Sequence, residues 1–104
     1  MYTSNGYNAR TKVAKTVAGD AATKLNADSK RVGLDIANTD TTKSLWIEVV
    51  PRGATAPTMS ATSWTHICPA EACISLDFGE AVDVYGQMDD GTSGTETINV
   101  VERY

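Results

Sequence analysis

The chain has 104 residues and a mass of 11.1 kDa, which is enough for one hydrophobic core and too little for two. Hydrophobic residues make up 41% and charged residues 21%, so the composition excludes an intrinsically disordered protein. The sequence has no run of about 18 apolar residues, which excludes a membrane-spanning helix, and we expect no secretory signal peptide.

Charge is distributed unevenly along the chain. Residues 1–52 carry eight basic and five acidic side chains, a net +3, whereas residues 53–104 carry one basic and eight acidic side chains, a net −7. We predict that residues 1–20 form an extended basic arm that contacts an acidic surface, with a solvated terminus as the alternative. The residues expected to make this contact are Tyr2, Tyr7, Arg10, Lys12 and Lys15. Nucleic acid is a weaker candidate partner, because the acidic body would repel phosphate.

The predicted elements after residue 8 are almost all strands. Residues 9–18 fit either a helix or a strand, because their apolar positions match both periods. A short strand is predicted at 21–26, and alternating apolar and polar residues predict strands at 31–37, 45–50, 64–68, 73–78, 82–85 and 98–100. Residues 52–63 are rich in Gly, Ala, Thr, Pro and Ser and predict a long surface loop.

About seven strands at regular spacing, with no long helix, indicate an all-β protein. We therefore predict an antiparallel β-sandwich with jelly-roll or immunoglobulin-like topology. The expected organisation is an N-terminal arm at residues 1–20 and a single sandwich domain at residues 21–104.

Three blocks of sequence carry a family resemblance. They are R-V-G-L-D-I-A-N-T-D-T-T-K-S-L-W-I-E-V-V at 31–50, I-C-P-A-E-A-C-I-S-L-D-F-G-E-A-V-D-V-Y-G at 67–86, and T-I-N-V-V-E at 97–102. In this order they resemble small β-sandwich virion proteins of tailed bacteriophages, of the head decoration or head-fibre kind. The chain departs from the family pattern at Ala70, where a Gly usually follows the Pro of a turn.

The resemblance implies a structural role rather than an enzymatic one. We expect a decoration (cement) protein, a homotrimer, that binds the major capsid protein on the outside of the head after synthesis in the host cytoplasm. No catalytic residue, metal or cofactor is expected, and no membrane contact. The alternative hypothesis is a receptor- or carbohydrate-binding module of a phage head fibre or tail.

Large aromatic side chains are the candidates for subunit contacts. Trp46 alternates with Leu45, Ile47 and Val49, so it is predicted on the opposite face of its strand, where a neighbouring subunit would cover it. The residues expected at the subunit interface are Trp46, Trp64 and Tyr85, with the loop 52–63 beside them.

Two cysteines and one histidine are the candidates for chemistry. Cys68 and Cys73 flank a turn, and cross-strand positions at the base of a hairpin would allow a disulfide; two free thiols are the alternative. His66 would share a strand face with Cys68, but no third residue indicates a nucleophilic site.

Acidic residues suggest two further sites, each weighed against a simpler interpretation. Calcium ligands would be Asp83, Asp89 and Asp90, but the Asp-Gly step alone explains a hairpin tip there. An acid-base pair for glycoside hydrolysis would come from Glu71, Asp77 and Glu80, but their spacing in the sequence does not determine the distance between their carboxylates.

Overall fold

A computed structural model describes residues 13–26, 33–60, 62–89 and 95–103. These ranges contain eight β-strands and no helix: β1 Val13–Ala18, β2 Thr23–Lys24, β3 Gly33–Ala37, β4 Leu45–Pro51, β5 His66–Cys68, β6 Cys73–Leu76, β7 Val82–Met88 and β8 Thr95–Arg103. No helix in the described part of the chain is long and apolar enough to cross a membrane.

The strands form two antiparallel sheets of four. The front sheet has the order β1-β8-β3-β6 and the back sheet the order β2-β7-β4-β5. Only β4 and β5 are consecutive strands paired within one sheet; every other connection crosses between the sheets. This is the strand order of an eight-stranded jelly roll, so the predicted antiparallel β-sandwich is confirmed and its topology is the first of the two alternatives.

The first described strand belongs to the sandwich. β1 pairs with β8 from Val13 opposite Val100 to Ala18 opposite Thr95. The boundary predicted at residue 20 is therefore too far along the chain, because residues 13–18 pair with β8 and Val17 is fully buried. The remainder of the predicted arm, residues 1–12, lies outside the described residues.

The core lies between the sheets and follows the predicted alternation. Inward positions of β3 and β4 are fully buried at Leu34, Ile36, Leu45 and Ile47, while their chain neighbours face outward. Each such side chain contributes about 1.5–3 kcal/mol through removal from water. The complete buried cluster is Val17, Leu25, Leu34, Ile36, Leu45, Ile47, Cys68, Leu76, Val84, Met88, Ile98 and Val100.

One end of the sandwich is held by Asn38, whose side chain is buried. Its Nδ2 donates to the carbonyl oxygens of Lys43 at 2.9 Å and Cys68 at 3.2 Å. It thereby joins the β3–β4 loop to the β5–β6 turn. In that turn Glu71 has φ 59°, so the residue with left-handed backbone lies one position after Ala70.

Candidate functional site

The back sheet has its outer face covered by the chain itself. The loop after β4 leaves at Pro51, and the backbone N–H of Gly53 donates to Asp83 Oδ2 at 2.9 Å near the start of β7. Farther along the loop, Met59 is buried and lines a small cavity with Gln87, near the other end of β7. The loop therefore runs along the outer face of this sheet before it joins β5.

A buried carboxylate fixes this cover. Asp83 is 2% exposed, although its strand position faces away from the core. It accepts hydrogen bonds from Gly53 N and from Asn26 Nδ2 at 3.1 Å, and Lys24 Nζ lies 3.6 Å from its Oδ1. The Gly53 N–H is the main reason that the pKa of Asp83 is lowered.

The outer face of the front sheet is different, because its side chains are small and many are exposed. The described outward positions are Ala14, Thr16 and Ala18 on β1; Thr97, Asn99, Val101 and Arg103 on β8; Gly33, Asp35 and Ala37 on β3; and Cys73 and Ser75 on β6. We call these residues the open face. None of them is aromatic, and apart from Arg103 their side chains are short, so the open face is low in relief.

A shallow groove crosses the open face over β3, β6 and β8. Its volume is about 360 Å³. Asp35, Ser75 and Asn99 contribute its polar atoms, and Ala37 and Val101 contribute apolar surface. A surface of this kind binds another surface or a hydroxyl-rich ligand through hydrogen bonds and close packing.

One border of the groove is an ion-pair network around Arg103. Its Nε lies 3.1 Å from Asp35 Oδ1 and its Nη2 lies 2.9 Å from Asp77 Oδ1. The hydrogen bond to Asp77 is the main reason that the pKa of Arg103 is raised. Gly33 makes room for the network, because a Cβ there would approach the Arg103 guanidinium and come within 2.8 Å of the Leu76 carbonyl oxygen.

Of the predicted capsid-contact residues, the structure describes Lys15. It lies on β1 opposite Ile98, so its side chain points to the core side of an edge strand and is half-buried. The other predicted contacts, Tyr2, Tyr7, Arg10 and Lys12, lie outside the described residues.

The three aromatic residues predicted at a subunit interface have different environments. Trp46 does face away from the core, opposite Gln87, but it is only 6% exposed because the chain itself covers it. It is therefore not available to a neighbouring subunit. Trp64 is 38% exposed, and Tyr85 is half-buried on the same sheet face as Trp46.

The two cysteines are free thiols that point in different directions. Cys68 lies opposite Leu45 in the back sheet and is buried in the core, whereas Cys73 lies opposite Ala37 in the front sheet and is exposed. The expected hairpin base is wrong, because β5 and β6 belong to different sheets. Burial is the main reason that the pKa of the Cys68 thiol is raised, which disfavours the reactive thiolate.

His66 packs beside the core instead of forming a catalytic pair. Its ring meets Phe78 edge to face at a centroid distance of 5.8 Å. Its Nδ1 is buried without a hydrogen-bond partner, and the neighbouring Cys68 is closed to solvent. This geometry gives the pair no access to a substrate.

The acidic residues considered for calcium or acid-base chemistry are not gathered into a site. Asp83 accepts a hydrogen bond from the loop, and Asp77 forms an ion pair with Arg103. Asp90 lies outside the described residues. Across the ranges that the structure describes, no group of three or more His, Cys, Asp or Glu side chains is placed to hold a metal ion.

The open face is the feature that sequence reasoning missed. A signal for it was present: outward positions of the strand at 31–37 are Gly33, Asp35 and Ala37, which are small or polar, whereas the strand at 45–50 has Trp46 outward. Small outward residues indicate a sheet face that is left uncovered, and a Trp indicates a face that needs a cover.

Comparisons with models of protein families, with curated proteins and with solved structures gave no match to this chain.

Proposed function

We propose that this protein is a structural component of a tailed-bacteriophage virion, a decoration (cement) protein that binds the outside of the capsid and stabilises the head. The observation that carries the proposal is the open face, where Thr16, Thr97 and Ser75 are exposed among the described residues, whereas a loop crosses the outer face of the back sheet. The three sequence blocks that resemble such virion proteins support the same role. A jelly roll by itself carries no function, so the surface and the resemblance are the grounds for the proposal.

The basic N-terminal segment directly precedes β1 in the sequence. Residues 1–12 lead into β1, and β1 is an edge strand of the front sheet. Arg10 and Lys12 thus precede, in the sequence, a strand of the sheet that bears the open face. An acidic capsid surface would attract this segment, while the front sheet supplies the packing contact.

The action we propose is mechanical. One shallow face gives a modest contact, but many copies arranged by capsid symmetry add their contacts without any single strong one. A homotrimer would strengthen this effect. Its subunit contact is proposed at Trp64 and Ile67, which are both 38% exposed and are the large hydrophobic residues most open to a neighbour among those described.

Binding to expanded capsids that lack this protein tests the proposal. Deletion of residues 1–12 should reduce binding strongly while the circular dichroism spectrum is kept, because the deletion stops before β1. Thr97→Glu, on the open face, should also prevent binding, whereas Thr41→Glu makes the same charge change in an exposed loop and should not. A full-length protein that ignores such capsids would overturn the proposal.

The groove favours a second candidate function, a carbohydrate-binding module. Asp35, Ser75 and Asn99 offer carboxylate, hydroxyl and amide groups, which are the groups that recognise sugar hydroxyls. A glycan array separates the two functions. Binding to a defined glycan that is lost in Asn99→Ala, together with no binding to capsids, would favour the second.

A further inference from the structure

The sandwich has four edge strands, and β1 is the longest of them. It has six residues, against four in β6, three in β5 and two in β2. An edge strand presents backbone N–H and C=O groups that can pair with another strand, and short edges limit this pairing. Among the described strands, β1 pairs only with β8.

Side chains on the two faces of β1 suit a pairing partner. Ala14 and Thr16 point outward, are small and are exposed. On the inner face Lys15 is half-buried, and its ammonium makes no ion pair or hydrogen bond with a described residue. A half-buried lysine without a carboxylate partner is an incomplete arrangement.

We infer that two copies of this chain pair through β1 in antiparallel fashion, about a two-fold axis that passes through Thr16. In an antiparallel pair, directly opposite residues lie on the same face of the sheet. The two-fold axis must therefore lie between the two copies of one residue, and not between two residues that follow each other in the chain. An axis at Lys15 would set two ammonium groups opposite each other, which is destabilising. An axis at Thr16 sets Lys15 opposite Val17 of the second copy and Ala14 opposite its Ala18.

This register supplies the missing carboxylate. Within one copy Val17 lies opposite Glu96 of β8, so Lys15 of the second copy, Val17 and Glu96 form one row across the contact. Adjacent strands are about 4.8 Å apart, which puts the Lys15 and Glu96 backbones roughly 10 Å apart, within the joint reach of their side chains. Glu96 already lies 3.5 Å from Lys43 Nζ, and a carboxylate accepts several donors.

The pairing joins the front sheets of the two copies into one continuous sheet. Because the two-fold axis is perpendicular to the sheet, both open faces point the same way. The contact goes beyond capsid attachment and beyond the trimer contact proposed at Trp64, which lies beside β5 of the other sheet. A single pair of strands buries little surface, so the dimer is weak and is best detected by covalent trapping.

Cysteine cross-linking tests the register. In a Cys73→Ser background, which removes the exposed thiol and keeps the buried Cys68, Thr16→Cys should give a disulfide-linked dimer with oxidised glutathione. Directly opposite residues have Cα atoms about 4.5–5.5 Å apart, which suits a disulfide. Ala14→Cys is the matched control, because the two copies of position 14 would be about 14 Å apart. A mixture of Ala14→Cys and Ala18→Cys should cross-link.

The charge pair gives a second readout. Lys15→Glu, added to the Thr16→Cys protein, should lower the cross-linked fraction about ten-fold, because symmetry uses the Lys15–Glu96 pair twice. Thermal unfolding of each variant checks that the fold is kept. Equal cross-linking at positions 14 and 16, no dimer from Thr16→Cys, or an unchanged yield with Lys15→Glu would each overturn the inference.

Discussion

The outer face of the back sheet is covered by the chain's own loop, whereas the outer face of the front sheet is left open. The covered face carries Trp46, which is 6% exposed, and Asp83, which accepts a hydrogen bond from Gly53 of the loop. The open face carries Thr16, Thr97 and Ser75, all exposed. The difference teaches that a bulky aromatic side chain on the outer face of a sheet needs a cover from the chain itself, whereas a face whose outward side chains are mostly small can stay exposed without one.

The largest expected effect is at Trp46. Trp46→Ala should lower the free energy of unfolding by about 3–5 kcal/mol, because a buried aromatic side chain leaves a cavity. Trp64→Ala is the comparison and should cost less than Trp46→Ala, since that side chain is 38% exposed. Urea unfolding measures both; equal losses would mean that the back sheet's face is not covered in solution.

A smaller loss is expected at the carboxylate that holds the loop. Asp83→Ala should cost about 2–3 kcal/mol, because it leaves the Gly53 N–H and the Asn26 amide without their buried acceptor. Asp20→Ala removes an exposed carboxylate and should change stability by less than about 0.5 kcal/mol. Limited proteolysis adds a local readout, since the loop 52–60 should become cleavable only in the Asp83 variant.

The same carboxylate gives an expected pH dependence. Its pKa in the folded protein is below the ordinary 3.8, so its contribution to stability is complete above about pH 5 and is lost as the pH falls through the folded pKa. The stability difference between wild type and Asp83→Asn should therefore shrink between about pH 5 and pH 2. The pKa of Asp40 is lowered mainly by the Thr42 backbone N–H. Asp40 is present in both proteins, so its contribution cancels in the stability difference. A difference that stays constant with pH would contradict this role.

The smallest effect on folding is expected on the open face. Thr97→Glu should change the free energy of unfolding by less than about 0.5 kcal/mol, because the side chain is exposed. A loss above about 1 kcal/mol in thermal or urea unfolding would show that the front sheet is covered in solution, and the comparison between the two faces would fail.

Alternation in the sequence predicted most of the sandwich but not its covering. The patterns around Leu34, Leu45 and Val84 placed strands and core correctly, because a half-buried strand has period two. The pattern at residues 9–18 was ambiguous, and β1 became a strand because β8 pairs with it. Such pairing depends on residues far along the chain, which local patterns do not contain.

The candidate site was less predictable than the fold. Trp46 was correctly predicted to face away from the core, yet its cover depends on the path of a loop, which composition does not specify. The possible disulfide between Cys68 and Cys73, with two free thiols as the alternative, assumed one hairpin, whereas the short turn between them crosses from one sheet to the other. Separation along the chain gave no information about which sheet each cysteine joins.

The position of β8 has a consequence for how the protein is made. β8 is the last of the eight strands in chain order, yet it lies between β1 and β3 and is their common neighbour. During synthesis the ribosome releases both flanking strands long before the segment that joins them, so the front sheet cannot close until residues 95–103 have emerged. Folding should consequently be slow and dependent on distant contacts, and nascent chains lacking residues 95–103 should depend on chaperones.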